Sequence, residues 1–195
     1  MEDLKALYRK RRKEIARRLA DFSSFRGKPL ADLLPELCFC LLTPGTSAER
    51  ADRAMKELQD SGLLLSGTEQ QLARRLKRHV RFHNQKARSL VRARGLAGLR
   101  MGREWLVENV RGLGWKEATH FLRNTGHGRG LAILDRHILK NLKEYGAIRS
   151  IPKSLSKKRY LSLEKKLKRF SRRTGIPAEE MDLLLWSKET GRVFK

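Results

Sequence analysis

Apolar residues recur at intervals of three and four along most of the chain, and no stretch alternates with the two-residue period of a strand. This spacing puts the apolar side chains on one face of a helix, so the pattern predicts an all-α protein. Residues Leu30–Leu42 are nearly all apolar, which indicates a buried central helix that ends at Thr43-Pro44-Gly45. The other predicted helices are amphipathic and cover residues 4–22, 48–58 after an N-cap at Ser47, 69–79, 84–93, 103–110, 116–124, 137–144, 156–173 and 178–188.

Two glycines two residues apart, Gly112 and Gly114, separate the predicted helices 103–110 and 116–124. Glycine allows a tight turn and a close backbone approach, and the start of a helix presents free N–H groups. We therefore expect a helix-hairpin-helix motif in which Gly112, Leu113 and Gly114 hold a phosphate group. On its own, this motif is typical of sequence-independent DNA binding.

The charge of the chain is strongly one-sided, with 45 Lys and Arg against 21 Asp and Glu and a net charge of +24. This excess implies a polyanionic partner, and nucleic acid is the first candidate. Residues 74–103 contain eleven basic residues and no acidic one, and residues 149–173 contain eleven basic residues and one acid, Glu164. We expect both blocks to contact phosphates beside the hairpin.

The cysteine positions exclude a disulfide and a metal site on cysteine, and the short apolar runs exclude a membrane span. Cys38 and Cys40 stand two residues apart on a predicted helix, so they point in different directions and can neither pair nor share a metal ion. They indicate core positions in a reducing compartment. No apolar run approaches the roughly 20 residues of a membrane span. Four of the five histidines, at 83, 120, 127 and 137, lack metal-ligand spacing, so we expect no bound metal. The expected location is the cytoplasm.

Lys116 and Asp135, nineteen residues apart, add candidate chemistry to the hairpin. Lys116 lies in the first turn of a predicted helix, where the positive end of the helix dipole favours the neutral amine of a nucleophile. Asp135 can cap the helix that begins at Arg136, and an ionised carboxylate there can stabilise a developing cation or accept a proton. Taken singly, each residue has a simpler interpretation, as a solvated lysine or a plain helix cap. Binding alone needs neither, so together they suggest catalysis on nucleic acid.

Longer motifs identify a family. They are Glu36-Leu-Cys-Phe-Cys-Leu-Leu-Thr-Pro44, Val80-Arg-Phe-His-Asn84, Gly114-Trp-Lys-Glu-Ala118, Ala132-Ile-Leu-Asp-Arg-His-Ile-Leu139 and the ending 183–195. Over nearly its whole length the chain resembles the type-2 8-oxoguanine DNA glycosylases, small prokaryotic repair enzymes of the helix-hairpin-helix DNA glycosylase superfamily. The run 43–47 departs from the commoner Thr-Pro-Gln-Ser-Lys of that family. The four-cysteine cluster of the related endonuclease III enzymes is absent.

The resemblance implies a bifunctional enzyme that acts on double-stranded DNA containing 8-oxoguanine. Lys116 corresponds to the lysine that attacks C1′, expels the base and forms a Schiff base before β-elimination, and Asp135 to the carboxylate that assists it. Phe82 and Trp186 match aromatic positions that can stack on an extruded base, and core positions are the alternative interpretation. Lys195 matches a terminal lysine whose carboxylate reads the lesion. Such a carboxylate accepts the N7–H of 8-oxoguanine but faces a lone pair on guanine.

The expected architecture is two helical lobes around a cleft. Residues of about 30–110 form one lobe, residues 111–148 carry the hairpin and catalytic segment, and residues 1–29 with 149–195 complete the second lobe. We expect a monomer without an organic cofactor, although backbone carbonyls of the hairpin are candidates for binding a monovalent cation. Two alternatives stay open: a non-catalytic helix-hairpin-helix DNA-binding protein, and a glycosylase/lyase with a different base preference that does not depend on Lys195.

Overall fold

The computed structural model describes residues 1–96 and 98–194, and all regular structure in these ranges is helical. The all-α prediction is therefore confirmed. None of the described helices is both long enough and apolar enough to cross a membrane. In chain order the helices are α1 Glu2–Ser23, α2 Leu30–Leu42, α3 Ala48–Asp60, α4 Leu63–Ser66, α5 Glu69–Leu76, α6 His83–Arg94, α7 Arg103–Asn109, α8 Trp115–Asn124, α9 Arg136–Glu144, α10 Lys157–Thr174 and α11 Ala178–Thr190.

The helix boundaries follow the sequence pattern closely, with two exceptions. α2 has the predicted bounds, and the Ser47 hydroxyl caps α3 by accepting the Arg50 N–H. The prediction for residues 69–79 was too long, because α5 ends at Leu76, whose carbonyl then closes a turn with the His79 N–H at 2.9 Å. α4 was not predicted, since a helix of four residues is too short to show a period.

The chain divides into two compact units, and the boundary falls within α8. The central unit is Gly27–Leu122, and the terminal unit combines Met1–Arg26 with Arg123–Lys195. In the central unit, α2 packs against α3 and α6, and α5 packs against α3 and α6. Both cysteines of α2 are fully buried, as predicted, and burial raises the pKa of the Cys38 thiol to about 12.

In the terminal unit, α11 contacts α1, α9 and α10. Its residues from Met181 to Leu185 are all buried, so this helix is covered on several faces rather than on one stripe. α11 is therefore the core helix of the terminal unit, as α2 is of the central unit. Asp182 is an acid in the middle of that buried run, and it is only 3% exposed.

Candidate active site

The predicted hairpin is present between α7 and α8 in the central unit. Gly112 has a φ of +102°, and a Cβ there would lie 3.0 Å from Ser89 Oγ and 3.2 Å from Leu41 Cδ2. The turn therefore requires glycine both for its backbone conformation and for its close approach to α2 and α6. The Leu113 N–H donates to the Val110 carbonyl at 3.1 Å, and the Leu113 side chain is buried. Leu113 could therefore meet a ligand only through its backbone.

Lys116 lies in the first turn of α8, directly after the hairpin, and its side chain is 24% exposed. Nζ lies 2.9 Å from Glu117 Oε1 and donates to Thr43 Oγ1 at 3.5 Å. Glu117, which is 9% exposed, was not anticipated from the sequence, although an acidic residue in the first turn of a helix is a recognisable signal. The Glu117 carboxylate is thus placed to accept a proton from Lys116.

A second lysine, Lys86 on α6, fixes the turn that carries Thr43. It is 5% exposed, and its Nζ donates to the Leu42 carbonyl at 2.7 Å, the Pro44 carbonyl at 2.8 Å and Thr46 Oγ1 at 2.9 Å. These three bonds use all three protons of the ammonium group. Burial, and to a smaller extent the charge of Lys116, lowers the pKa of Lys86 to about 8.

The basic block 74–103 is therefore partly internal. Lys86 is buried, so its expected contact with phosphate is wrong. Five other members of the block bind protein groups: Arg75 and Arg78 pair with Glu57, Arg88 pairs with Glu69, Arg94 donates to the carbonyls of Leu63 and Gly67, and Arg103 donates to Thr119 Oγ1. On α10, by contrast, most basic side chains are exposed: Lys157, Lys158, Arg159, Lys165, Lys166, Arg169, Arg172 and Arg173.

Phe82 precedes α6 in an unusual conformation. Its φ of 56° and ψ of 37° make it the one non-glycine residue with positive φ within the described ranges. It is 63% exposed, so a core position is excluded. The Arg81 guanidinium lies 5.6 Å from the ring centroid, and a Cβ at Gly45 would lie 3.9 Å from the ring. A bulky residue in the left-handed region costs about 1–3 kcal/mol, and such strain is concentrated at functional sites.

Asp135 caps α9, as predicted. Its Oδ1 accepts the Ile138 N–H at 2.8 Å, and its backbone carbonyl accepts the Leu139 N–H at 3.0 Å. No hydrogen bond in the described part of the chain uses Oδ2. One carboxylate oxygen thus fixes the side chain, and the other is left for a ligand. Asp135 belongs to the terminal unit, whereas Lys116 belongs to the central unit.

Trp186, also in the terminal unit, is partly exposed and stacks on Phe194 with ring centroids 6.0 Å apart. The segment that follows α11 is held on α1, because Arg18 donates to the Phe194 carbonyl at 3.3 Å and the Val193 N–H donates to Glu14 at 3.4 Å. The chain is therefore anchored up to Phe194. Lys195, the candidate reader of the lesion, lies outside the described residues.

Among the described residues, no group of three His, Cys, Asp or Glu side chains could hold a metal ion. His120 is buried edge-on against Phe39, with centroids 5.6 Å apart. His137 is half exposed, and its Nδ1 lies 3.9 Å from Glu189. These two histidines have the structural or surface positions expected from the sequence.

Comparison with known proteins gives consistent matches along the chain. A family model for 8-oxoguanine DNA glycosylase matches residues 15–176. The 8-oxoguanine DNA glycosylase/AP lyase of Korarchaeum cryptofilum is 44% identical over 196 residues, which cover 94% of this chain and 91% of the relative. The Fusobacterium nucleatum protein of the same name is 37% identical over 210 residues, or 99% of this chain and 96% of the relative.

Two solved structures share the fold over the full chain. The Methanocaldococcus jannaschii 8-oxoguanine glycosylase/lyase, in complex with 15mer DNA containing 8-oxoguanine, has a TM-score of 0.88 and 35% identity, and the match covers 100% of both chains. The 8-oxoguanine DNA glycosylase of Thermotoga maritima has a TM-score of 0.89 and 36% identity, with 100% of this chain and 97% of that chain covered. This protein therefore belongs to the 8-oxoguanine DNA glycosylase family.

Proposed function

We propose that this protein excises 8-oxoguanine from double-stranded DNA through a Schiff base on Lys116 and cleaves the resulting abasic site. The observation that carries the proposal is the placement of Lys116. Its partly exposed amine directly follows the hairpin that we expect to bind phosphate, with a carboxylate 2.9 Å from its Nζ. We infer the substrate from the family and the reaction from this geometry.

The first step needs a neutral amine. Lys116 can transfer a proton to Glu117 Oε1, and its Nζ lone pair then attacks C1′ of the damaged nucleotide. The bond from C1′ to the base breaks, and its electron pair leaves with the base. Positive charge develops on the sugar during this step, and the Asp135 carboxylate would stabilise it through Oδ2. Because Oδ1 is engaged by Ile138, the carboxylate has a defined orientation.

The second step follows from the covalent intermediate. Nζ loses a proton, the C1′–O4′ bond of the sugar ring breaks and O4′ takes up a proton, which leaves a protonated imine between Nζ and C1′. The imine makes the protons on C2′ acidic. Removal of one lets the C2′–C3′ double bond form, expels the 3′ phosphate and cleaves the strand. Side chains provide both the nucleophile and the carboxylate, and the proposal therefore includes no organic cofactor.

Two aromatic side chains support recognition of an extruded base. The Phe82 ring is exposed and held in a strained backbone conformation, and Trp186 is partly exposed on α11. Flat apolar surfaces of this kind stack on a base that has left the duplex. We assign the choice between 8-oxoguanine and guanine to the terminal carboxylate of Lys195, as an acceptor for N7–H.

Two further elements of the proposal concern assembly and ions. We further propose that the protein acts as a monomer, because one chain holds both the hairpin and the Lys116 nucleophile, and that it acts in the cytoplasm. A monovalent cation would bind at the hairpin carbonyls; the Val110 carbonyl accepts the Leu113 N–H and retains a second lone pair. If so, the midpoint of thermal unfolding should be higher in potassium chloride than in tetramethylammonium chloride at equal ionic strength. Equal midpoints would exclude the cation.

Borohydride trapping on an 8-oxoguanine duplex tests the catalytic assignment. Wild-type protein should form a covalent adduct, and Lys116→Gln should form none. Lys56→Gln, which removes an exposed lysine from α3 of the same unit, is the matched control and should form the adduct at the wild-type level. Absence of an adduct with wild-type protein would favour a non-catalytic DNA-binding protein. An adduct with Lys116→Gln would show that another amine is the nucleophile.

A further inference from the structure

The segment that leads into Asp135 is held by side chains rather than by secondary structure. Its residues 132–134 lie between α8 and α9 and are all buried. Three consecutive N–H groups of this segment donate to buried side chains of α10 and α11: Ala132 to Glu164 Oε1 at 3.2 Å, Ile133 to Asp182 Oδ2 at 3.2 Å, and Leu134 to the Tyr160 hydroxyl at 3.3 Å. We call Tyr160, Glu164 and Asp182 the cradle.

Each member of the cradle is placed by its helix. Tyr160 and Glu164 are four residues apart on α10, so they project from the same face. The Tyr160 hydroxyl also donates to the Ala132 carbonyl at 2.8 Å, and its side chain is fully buried. Asp182 comes from α11, the core helix of the terminal unit. The segment is thus held from two helices at three successive residues.

Holding the segment with the cradle costs free energy, because two carboxyl groups are buried. Glu164 and Asp182 are 4% and 3% exposed. Burial raises the pKa of Asp182, against the opposing effects of the Arg123 guanidinium 3.6 Å away and the N–H groups of Ile133 and Leu183. Buried ionic groups are often no more stabilising than apolar residues of similar volume. Apart from any effect on stability, the cradle fixes the path of the backbone at residues 132–134.

We propose that Tyr160, Glu164 and Asp182 are positioning residues that set the location of the Asp135 carboxylate during base excision. The proposal rests on the proposed function of Asp135. The three cradle bonds fix the backbone immediately before Asp135, and the N–H of Ile138, three residues after it, fixes its Oδ1. The direction of Oδ2 therefore depends on both sets of bonds.

Tyr160→Phe tests the proposal with the smallest change. It keeps the ring and removes the hydroxyl that links Leu134 to Ala132. The single-turnover rate of 8-oxoguanine excision should fall about ten- to a hundredfold, as for other small displacements of catalytic groups. The affinity for the duplex should be unchanged. Tyr145→Phe is the matched control: it also removes a phenol hydroxyl in the terminal unit, one that donates to Asp3 at 2.7 Å, and it should keep the wild-type rate.

The same substitution in an Asp135→Asn background separates positioning from general damage. Once the carboxylate is gone, Tyr160→Phe should cause no further loss of rate, whereas a general structural defect would multiply the two losses. A multiplied loss, or a Tyr160→Phe rate equal to that of Tyr145→Phe, overturns the proposal. If Asp135→Asn alone excises at the wild-type rate, the proposed function of Asp135 fails instead.

A second pair of variants serves if Tyr160→Phe does not fold. Glu164→Gln keeps an oxygen that can accept the Ala132 N–H, and it should keep a rate near that of wild type. Glu164→Met has a similar length and no such acceptor, so its excision rate should fall about tenfold or more. Equal rates for these two variants would overturn the proposal.

Discussion

From the buried ammonium group of Lys86 we predict how the free energy of unfolding depends on pH. Its pKa falls from the usual 10.5 to about 8 because burial penalises the charged form. One pKa unit corresponds to about 1.4 kcal/mol, so the environment of Lys86 disfavours its charge by about 3 kcal/mol. The three hydrogen bonds of the ammonium offset part of the desolvation cost, and without them the pKa would fall further.

The direction of this pH dependence follows from the protonation of Lys86 in the folded and the unfolded chain. Between about pH 8 and pH 10.5 the folded protein has released the Lys86 proton while the unfolded chain still holds it, so stability from this group increases with pH. Lys86→Met removes the titration together with the three bonds. The buried Leu42 carbonyl and the partly buried Pro44 carbonyl then lose their donor, and the buried one costs about 1–3 kcal/mol. The variant should therefore be less stable than wild type at pH 7, and the gap should widen by about 2.5 kcal/mol by pH 10.

Urea unfolding of wild type and Lys86→Met at pH 7, 8, 9 and 10 measures this gap, which is the difference between their free energies of unfolding. Other titrating groups are common to the two proteins, so they cancel in the difference. Lys56→Met provides the baseline for removing an exposed lysine from the same unit. A gap between wild type and Lys86→Met that stays constant from pH 7 to pH 10 would refute a buried, titrating Lys86. A stability difference that narrows as the pH rises would show that the folded protein favours the charged form of Lys86.

Three further substitutions test the hairpin, the exposed ring and the terminus. Gly112→Ala should lower stability to urea by at least about 1 kcal/mol, because a φ of +102° and a Cβ contact at 3.0 Å are both unfavourable; unchanged stability would mean that the turn tolerates a side chain. Phe82→Ala should leave stability the same or higher while lowering the rate of 8-oxoguanine excision, and an unchanged rate would exclude stacking on the base. Removal of Lys195 should reduce discrimination between 8-oxoguanine and guanine, measured as the ratio of excision rates, and an unchanged ratio would contradict recognition by the terminal carboxylate.

Local features of the fold could be predicted from the sequence because short-range patterns determine them. The mostly apolar run 30–42 predicted the bounds of α2, and the cap residues Ser47 and Asp135 predicted the starts of α3 and α9. Gly112 was predicted because a tight turn needs a residue that tolerates positive φ. The division of the chain within α8 could not be predicted, since it depends on contacts between residues far apart in the sequence.

The charged residues that support the site were missed for a different physical reason. A lysine or glutamate on a helix is usually solvated, and Lys86 stands in a block of basic residues where solvent or phosphate is the expected partner. Yet Lys86 precedes the buried Leu90 by four residues on α6, and Glu164 precedes the buried Leu167 by three on α10. Each is therefore on the apolar stripe of its helix, where a charge needs a buried partner. Periodicity can thus reveal that such a charge is internal. The partner itself comes from the tertiary fold. For Lys86 it is a pair of carbonyls 44 and 42 residues away in the sequence, and for Glu164 it is the backbone before Asp135.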